Sequence, residues 1–380
     1  MMLPRRGATV VTSAEAATGT LHPGRASPVP RLDPRLVLQF LKAVALAVPL
    51  LVAVGLLLSA CAPPLETKLE GRTMGTTWHV TVVGRHSTAG LQERVERRLD
   101  QINQSLSTYR DDSEINRFSR FSRTGEEFPV SRDFLEVMRT AARVHALSGG
   151  AWDGTVRPLV DLWGFGPLPP RAEPPDPRKV EALLRDVGFD RIEIRPAALV
   201  KRVASATLDL SSIAKGYGVD QVAAVVRGEG FSDFLVEIGG EVYASGSRRR
   251  GGPWRVGINR PRADAATDAL YRVVALRDGA LATSGDYRQF FVRDGARYSH
   301  ILDPRTGRPV TNGVVSVSVL APDCTLADGL ATAVMVMGVE DGLALVERLT
   351  GVEALVVVET KDGQLEDHPS SGFRSEPPPR

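Results

Sequence analysis

The stretch from residue 208 to residue 220 places a carboxylate, hydroxyl groups and an ammonium group close together, as Leu-Asp-Leu-Ser-Ser-Ile-Ala-Lys-Gly-Tyr-Gly-Val-Asp. An apolar alternation that ends at Asp209 predicts a strand, and the apolar spacing from residue 219 to residue 226 predicts a helix that begins near Lys215. A turn between a strand and a helix presents free backbone N–H groups at the positive end of the helix dipole. Such a turn suits an anionic ligand such as a phosphate, which Asp209 and Lys215 are expected to flank.

Other interpretations of this stretch have to be weighed. Gly216 and Gly218 resemble part of a dinucleotide-binding fingerprint, but the third glycine is missing at Gln221 and the pair lies inside the predicted helix, so we discard it. Ser212 and Lys215 have the S-x-x-K spacing of serine acyl enzymes, although the supporting S-D-N and K-T-G elements are missing. Asp209 and Lys215 could also be an ordinary strand-end acid and a solvated helix lysine.

A second pair of chemically capable side chains lies near the C-terminus. Asp328 and Thr332 are four residues apart on a predicted helix, so they share one face. A carboxylate and a hydroxyl are hard oxygen ligands that suit Mg2+. The alternative is a capping box formed by Thr325-Leu-Ala-Asp328, in which Asp328 only satisfies the start of the helix. Spacing alone favours the cap.

His300 stands beside a turn in which Asp303 and Pro304 are followed by Gly307. The ordinary pKa of histidine lies near neutrality, so His300 is a candidate general base. A lone histidine is more often a structural residue, and both roles stay open on this evidence.

The composition predicts a globular chain and gives no indication of nucleic-acid binding. The 380 residues are 43% hydrophobic and 24% charged, enough for one large or two modest domains. The net charge of +2 is small and the basic residues are dispersed, which argues against nucleic-acid binding.

The N-terminus has the layout of a secretory signal peptide. Basic residues precede an apolar run from Ala43 to Leu58, which leads into Leu-Ser-Ala-Cys61 and a proline-containing stretch. These features predict a lipoprotein-type signal peptide at 1–60 and a lipidated Cys61. A membrane-spanning anchor is the alternative, for which the run is short. Residues 1–30 are long for the start of a signal peptide and suggest a start codon placed too early.

The remaining pattern predicts an α+β fold, because strands and helices mix without regular βαβ alternation. Helices are predicted at 91–106, 131–147, 180–187 and 328–338. Strands are predicted at Glu66–Val83 as a pair, Phe234–Ile238, Trp254–Ile258, Tyr271–Leu276, Gly279–Ser284 and Val314–Leu320. Pro167–Pro177 is predicted to be a loop. The expected divisions are a linker at 61–69, a main domain at 70–360 and a disordered tail at 361–380.

Six motifs in one order resemble the ApbE family, the FAD:protein FMN transferases historically labelled thiamine-biosynthesis lipoproteins. They are Met74-Gly-Thr, Ser107-Thr-Tyr-Arg with Glu114-Ile-Asn-Arg, Gly150-Ala-Trp-Asp, Asp209 to Asp220, Ser299-His-Ile-Leu-Asp-Pro-x-Thr-Gly307 and Ala327-Asp-x-x-Ala-Thr332. The resemblance spans roughly residues 70 to 340. It implies two lobes with FAD in the cleft between them and Mg2+ on the pyrophosphate.

The resemblance also assigns residues by motif position. Those that would contact FAD are Met74, Tyr109, Ala151, Trp152, Asp153, Asp209, Lys215 and Ile301. Those that would hold Mg2+ are Asp328, Thr332 and Ser212, the last through its backbone carbonyl. The chain departs from the family pattern at Trp152, where phenylalanine is common, at Gly154, where proline is common, and at Ser212, where glycine is common. The first two could alter the flavin pocket.

The implied reaction is Mg2+-dependent transfer of FMN from FAD to a threonine hydroxyl of an acceptor redox protein, with release of AMP. Lys215 and the helix N-terminus would stabilise charge on the pyrophosphate, and His300, oriented by Asp303, would be the base. The expected acceptor is a subunit of a quinone reductase or a related electron-transfer complex, reached from a lipid anchor on the periplasmic face of the bacterial cell envelope. An FAD pyrophosphatase and a non-catalytic periplasmic flavin-binding lipoprotein are the alternatives.

Overall fold

A computed structural model describes residues 33, 35–36, 38–45, 65–166, 171, 173–266, 268–287 and 289–378. The chain divides into two units, Met1–Ala62 and Pro63–Arg380. In the first unit, residues 38–45 are helical, whereas Cys61 lies outside the described residues. Across these ranges, no helix combines the length and the apolar character needed to cross a membrane.

Helices and strands alternate irregularly along the second unit. The helices in its described part are α1 (Leu91–Leu106), α2 (Glu114–Arg120), α3 (Arg132–Leu147), α4 (Arg157–Trp163), α5 (Pro177–Leu184), α6 (Ser211–Gly228), α7 (Cys324–Met337) and α8 (Val339–Val346), with a 3-10 turn at Phe189–Arg191. The strands are β1 (Leu65–Thr73), β2 (Thr76–Gly84), β3 (Glu127–Pro129), β4 (Ile192–Ile194), β5 (Ala198–Lys201), β6 (Asp233–Ile238), β7 (Glu241–Ser245), β8 (Trp254–Asn259), β9 (Leu270–Leu276), β10 (Gly279–Gly285), β11 (Phe290–Arg293), β12 (Ala296–Ser299), β13 (Leu302–Asp303), β14 (Arg308–Pro309), β15 (Val314–Ala321), β16 (Glu353–Glu359) and β17 (Leu365–Pro369). This mixture confirms the α+β prediction.

An eight-stranded sheet forms the centre of this unit, in the order β1-β2-β6-β7-β10-β15-β16-β17, with every neighbouring pair antiparallel. Successive side chains of a strand point to opposite faces. On β15, Val317 and Val319 therefore join the core under the helices, whereas Val315 joins a second core beneath the β8–β9 hairpin. Both faces of the sheet are covered in this way.

Helix α6 lies at the centre of the larger core. Its buried residues surround most of its circumference, and it packs against α7, α1 and the sheet. A Cβ atom at Gly216 would come within 2.2 Å of the carbonyl oxygen of Cys324 on α7. Glycine at this position therefore permits the close approach of α6 and α7.

The structure confirms the helix predicted at 91–106 and the one capped by Ser131, whose hydroxyl accepts a hydrogen bond from Phe134 N. The short helix predicted at 180–187 begins earlier, at Pro177, and ends at Leu184. The predicted proline-rich loop lies partly outside the described residues, since positions 167–170 and 172 are not described.

The structure corrects a predicted strand and the starts of two helices at the candidate site. The segment that ends at Asp209 is not a strand: Asp209 N donates to the carbonyl of Gly154, and helix α6 begins at Ser211 rather than near Lys215. Buried and less buried residues do alternate in the segment that ends at Asp209, but no neighbouring strand in the described part of the chain pairs with it. Helix α7 is capped by Asp323, which accepts a hydrogen bond from Leu326 N, so Asp328 lies inside the helix and is not part of a capping box.

The prediction of a disordered tail at 361–380 is also wrong for the described residues. Strand β17 at Leu365–Pro369 pairs with β16 at the edge of the central sheet. Beyond it Phe373 is buried in the second core, and Glu376 exchanges backbone hydrogen bonds with Val273. The polar composition of this segment concealed an edge strand.

Candidate functional site

A cavity of about 810 Å³ gathers residues that are far apart in the sequence. All the residues predicted to contact FAD or hold Mg2+ line it, and so does His300. They are Met74, Tyr109, Ala151, Trp152, Asp153, Asp209, Ser212, Lys215, His300, Ile301, Asp328 and Thr332. The walls also include parts of strands β8 and β10 and the loop after β12. Asp303 is the one predicted site residue of this unit that does not line the cavity.

The turn between β1 and β2 brings Met74 to the cavity. Met74 and Gly75 both have positive φ, at 48° and 74°, as the two central residues of a tight hairpin turn require. Positive φ is uncommon for a residue with a side chain, and such strain clusters at functional sites. The Met74 methyl lies against Gly218 of α6, where a Cβ atom would approach it to 3.1 Å.

The segment after α3 supplies Ala151, Trp152 and Asp153 to the wall of the cavity. The Trp152 indole N–H donates to Ser212 Oγ at 2.9 Å. The Asp153 carboxylate accepts from Thr155 N at 2.8 Å and from Phe189 N at 2.9 Å, so its oxygens are used in holding the loop. Asp153 therefore contributes to this wall mainly by fixing the backbone at Thr155 and Phe189.

The first turn of α6 begins beside Asp209. The Asp209 carboxylate accepts hydrogen bonds from Ser211 N at 2.9 Å and from Ser211 Oγ at 2.6 Å. It therefore satisfies one of the free N–H groups that the sequence pattern assigned to an anionic ligand. Tyr109, in contrast, is 76% exposed at the rim.

Lys215 lies between two buried carboxylates at the base of the cavity. Its Nζ is 2.7 Å from Glu241 Oε1 and 3.9 Å from Asp328 Oδ1. Burial opposes the charge of Lys215, but the two carboxylates outweigh it and raise the pKa of the ammonium group. Burial raises the pKa of Glu241 to about 7, and also raises the pKa of Asp328, against the opposing charge of Lys215.

Glu241 and Ser284 were missed by the sequence analysis. Glu241 is 2% exposed and follows the Gly239-Gly240 turn at the start of β7. Ser284 lies on β10, and its Oγ is 3.0 Å from Thr332 Oγ1. The signal in the sequence that could have identified these two residues is a polar side chain in an otherwise apolar strand pattern.

Three oxygen donors suited to a divalent cation converge where α6 meets α7. Asp328 Oδ2 accepts a hydrogen bond from Gly216 N at 2.9 Å. That N–H is the one that a regular α-helix pairs with the carbonyl of residue 212, and Ser212 also lines the cavity. Asp328 Oδ1 and the Thr332 hydroxyl complete a set of hard oxygens. The residues thus fit Mg2+, although the described residues contain no cluster of three His, Cys, Asp or Glu side chains able to hold a metal.

The ring of His300 is held by a backbone carbonyl. Its Nδ1 lies 3.1 Å from the carbonyl oxygen of Gln289, a contact that requires Nδ1 to carry the proton when the ring is neutral. Nε2 is then the free basic nitrogen. Burial lowers the pKa of His300; the Gln289 carbonyl opposes this shift and the charge of Lys215 adds to it.

The predicted orientation of His300 by Asp303 is wrong. The Asp303 carboxylate forms a two-point contact with the Arg305 guanidinium, with both N–O distances at 2.9 Å, and also accepts from Arg305 N. Arg305 lies only two residues away and satisfies Asp303 within the turn. The Gln289 carbonyl performs the orienting role instead.

Comparison with known proteins gives consistent matches over most of the chain. The sequence profile of the ApbE family matches residues 74–356. The chain is 43% identical over 323 residues to the FAD:protein FMN transferase of Vibrio cholerae serotype O1, covering 84% of this chain and 95% of that protein. It is 37% identical over 303 residues to the FAD:protein FMN transferase of Escherichia coli K12, covering 78% of this chain and 85% of that protein.

Solved structures share this fold. The flavin transferase ApbE from Vibrio cholerae has a TM-score of 0.75 at 42% identity, covering 82% of this chain and 99% of that chain. The apo form of the Pseudomonas stutzeri flavinyl transferase ApbE has a TM-score of 0.73 at 37% identity, covering 82% of this chain and 96% of that chain. Fold, cavity and relatives together define an enzyme of the transferase class. More particularly, the chain belongs to the ApbE family.

Proposed function

We propose that this enzyme transfers FMN from FAD to a threonine hydroxyl of an acceptor protein, that the reaction depends on Mg2+, and that AMP is released. The observation that carries the proposal is the meeting of three kinds of group in one cavity. Oxygen donors for a cation lie at Asp328, Thr332 and the Ser212 carbonyl, an ammonium group at Lys215 and a free imidazole nitrogen at His300. The names of the relatives support FAD as the flavin donor and a protein as the acceptor.

The residues around α6 and α7 are suited to stabilise negative charge on the pyrophosphate of FAD. Bound Mg2+ would supply Lewis-acid stabilisation of the phosphoryl oxygens as negative charge moves to the leaving phosphate. Lys215, partly exposed at the cavity and kept charged by its carboxylate neighbours, adds a fixed positive group. Both contributions favour departure of AMP as an anion.

His300 completes the transfer step. The acceptor hydroxyl oxygen forms a bond to the FMN phosphorus while the bond from that phosphorus to the AMP phosphate oxygen breaks. The hydroxyl proton passes to Nε2 of His300, which is unprotonated at neutral pH because the pKa of the ring is lowered. The Gln289 carbonyl then stabilises the imidazolium through Nδ1–H.

The acceptor and the location of the enzyme are further parts of the proposal. We propose a redox protein of the quinone-reductase type, or a related electron-transfer subunit, as the acceptor. We also propose that Cys61 carries a lipid anchor at the periplasmic face of the cell envelope, an idea supported by the sequence pattern before Cys61. Incorporation of labelled fatty acid should disappear in Cys61→Ala; unchanged incorporation would reject the anchor.

Measuring AMP release with and without an acceptor tests the reaction type. The proposal predicts AMP in stoichiometric amounts only when FAD, Mg2+ and a threonine-containing acceptor are all present, and none after chelation of the metal. Release of FMN and AMP without an acceptor would show hydrolysis instead. If FAD binds but stays intact with every acceptor tried, the protein is a flavin binder.

A further inference from the structure

Glu241 is a buried carboxylate whose role is not explained by binding of the flavin or the cation. It is 2% exposed, and its Oε1 lies 2.7 Å from Lys215 Nζ. Its other oxygen, Oε2, is shielded from solvent and has no hydrogen-bond partner among the described residues. A buried charge needs a partner to offset its lost hydration. The ammonium of Lys215 is the cation that Glu241 contacts in the described part of the chain.

Lys215 is shared unequally between its two carboxylate neighbours. The 2.7 Å separation from Glu241 is a charge-assisted hydrogen bond, whereas the 3.9 Å separation from Asp328 is too long for one. Asp328 instead hydrogen-bonds Gly216 N through Oδ2, which turns Oδ1 toward the Lys215 side. The ammonium thus stays near Asp328 without binding it.

The backbone makes this arrangement rigid. Glu241 begins β7, which lies between β6 and β10 inside the central sheet, directly after the Gly239-Gly240 turn. Lys215 lies in the second turn of α6, beside the residue whose N–H Asp328 accepts. The carboxylate of Glu241 is therefore a fixed point to which the flexible lysine side chain is tied.

A lysine freed from Glu241 would have Asp328 as its nearest remaining carboxylate. An ammonium hydrogen-bonded to Asp328 Oδ1 would then compete with a divalent cation for the same oxygen. We infer that Glu241 is a positioning residue that holds the Lys215 ammonium away from Asp328, so that Asp328 stays available for the cation. The inference rests on the cation site of the proposed function.

Glu241→Asp tests this inference because it keeps the charge but shortens the side chain by one methylene group. Binding of Mn2+, as a paramagnetic substitute for Mg2+, would be measured on the FAD-free protein by electron paramagnetic resonance of the unbound ion. We expect Glu241→Asp to weaken Mn2+ binding on the order of tenfold, as expected when a charged hydrogen bond forms in competition. In a Lys215→Met background the same substitution should have no effect, because the competing ammonium is gone.

The paired backgrounds separate the possible roles of Glu241. Equal losses of Mn2+ affinity with and without Lys215 would make Glu241 a direct ligand or a structural residue. No loss in either background would mean that only the charge of residue 241 matters and not its position. Either result overturns the inference. If Glu241→Asp does not fold, Glu241→Gln in both backgrounds replaces it. The loss should then be larger when Lys215 is present, and equal losses would again overturn the inference. Failure of the unsubstituted protein to bind Mn2+ would instead reject the cation site itself.

Discussion

The protonation state of His300 follows from a single backbone contact. Because the Gln289 carbonyl accepts from Nδ1, Nε2 is unprotonated in the neutral ring and is the nitrogen that would accept a proton in the proposed reaction. The same ring is held by burial at a pKa below its ordinary value of 6.5. A base with a lowered pKa stays unprotonated further into the acid range.

We predict that kcat/KM for transfer falls only when the pH drops below 6.5, since His300 must become protonated before the base is lost. His300→Ala should lower kcat by about 10²- to 10⁴-fold, the usual contribution of a general base. Flavin binding, measured by quenching of FAD fluorescence, should stay nearly unchanged in that variant. Normal turnover of His300→Ala, or an acid limb centred above pH 6.5, would refute the assignment.

Lys201 is a buried cation that does not line the cavity. Its ammonium donates to the carbonyls of Ser119 and Ala204 and lies over the Phe118 ring, and no side-chain carboxylate appears among its described contacts. Burial lowers the pKa of Lys201 from 10.5 to about 8. Between these values the unfolded chain binds more protons than the folded chain, so stability from this group rises with pH.

We predict that the difference in unfolding free energy between the unsubstituted protein and Lys201→Met grows in favour of the unsubstituted protein from pH 8 to pH 10.5. Urea denaturation at several pH values measures it, and Lys68→Met supplies a control at an exposed lysine. A difference that stays constant across this range would mean that Lys201 titrates as it does in water.

At the residue scale, the sequence identified the groups of the site better than their partners. The twelve residues assigned by motif position line one cavity. The pairing of Asp303 with His300 failed because Arg305, two residues further on, takes the carboxylate. Glu241 was missed because its contact with Lys215 depends on how β7 lies beside α6, which no local spacing encodes.

At the element scale, the contact between α6 and α7 positions the residues of the proposed cation site. Glycine at position 216 has no side chain to separate the helices, and Asp328 therefore reaches Gly216 N. Asp220, further along α6, accepts from Cys324 N and Thr325 N, each at 2.8 Å, and ties the start of α7 to the same helix.

Gly216→Ala tests this dependence. The added Cβ would lie 2.2 Å from the Cys324 carbonyl oxygen and 2.8 Å from Asp328 Cβ, so the helices must separate. We expect a loss of about 1–3 kcal/mol in unfolding free energy, typical of overpacking, together with weaker Mn2+ binding. Gly228→Ala at the other end of α6 has no neighbour within 4 Å of its Cβ and should be neutral or slightly stabilising. Equal behaviour of the two variants would contradict the role given to Gly216.

Prediction of elements succeeded where periodicity and packing agree. Helix α1 has a single apolar face that is buried against the core, so its bounds matched the pattern. Around Asp209 the alternation was real, since Leu208 and Leu210 are buried, but the segment pairs with no strand. For α7, Thr325 and Asp328 fitted a capping box, yet Asp323 supplies the cap and Asp220 takes the Thr325 N–H.

At the scale of the whole molecule, the last residues complete the sheet that supports the cavity. Strand β17 covers the edge of β16, and the chain beyond it returns to contribute Phe373 to the core beneath the β8–β9 hairpin. That hairpin carries Val256, Gly257 and Ile258 in the cavity wall. The cavity thus depends on a segment that contributes none of its lining residues.

Truncation after Thr360 should therefore destabilise the enzyme. Loss of buried Phe373 alone is expected to cost about 3 kcal/mol or more, and the freed edge of β16 should promote aggregation. Truncation after Pro377 keeps the backbone bonds between Glu376 and Val273 and serves as the control. Thermal unfolding would measure both; an unchanged melting temperature after the longer truncation would contradict this role.

Composition misled the prediction for this segment, because polar and proline-rich residues are typical both of tails and of edge strands. The broader α+β class was predictable, since it needs only the order of elements. The order of strands in the sheet was not predictable, because β1 and β17 lie at opposite edges and β7 pairs with β10 across an intervening hairpin. Such pairings depend on contacts between distant parts of the chain.

The most direct test of the account is the intact mass of an acceptor protein after incubation with this enzyme, FAD and Mg2+. We predict a gain equal to one FMN group on an acceptor with its threonine, and no gain after chelation of the metal or replacement of that threonine by alanine. An acceptor whose mass stays unchanged while FMN and AMP accumulate would contradict transfer and identify water as the nucleophile.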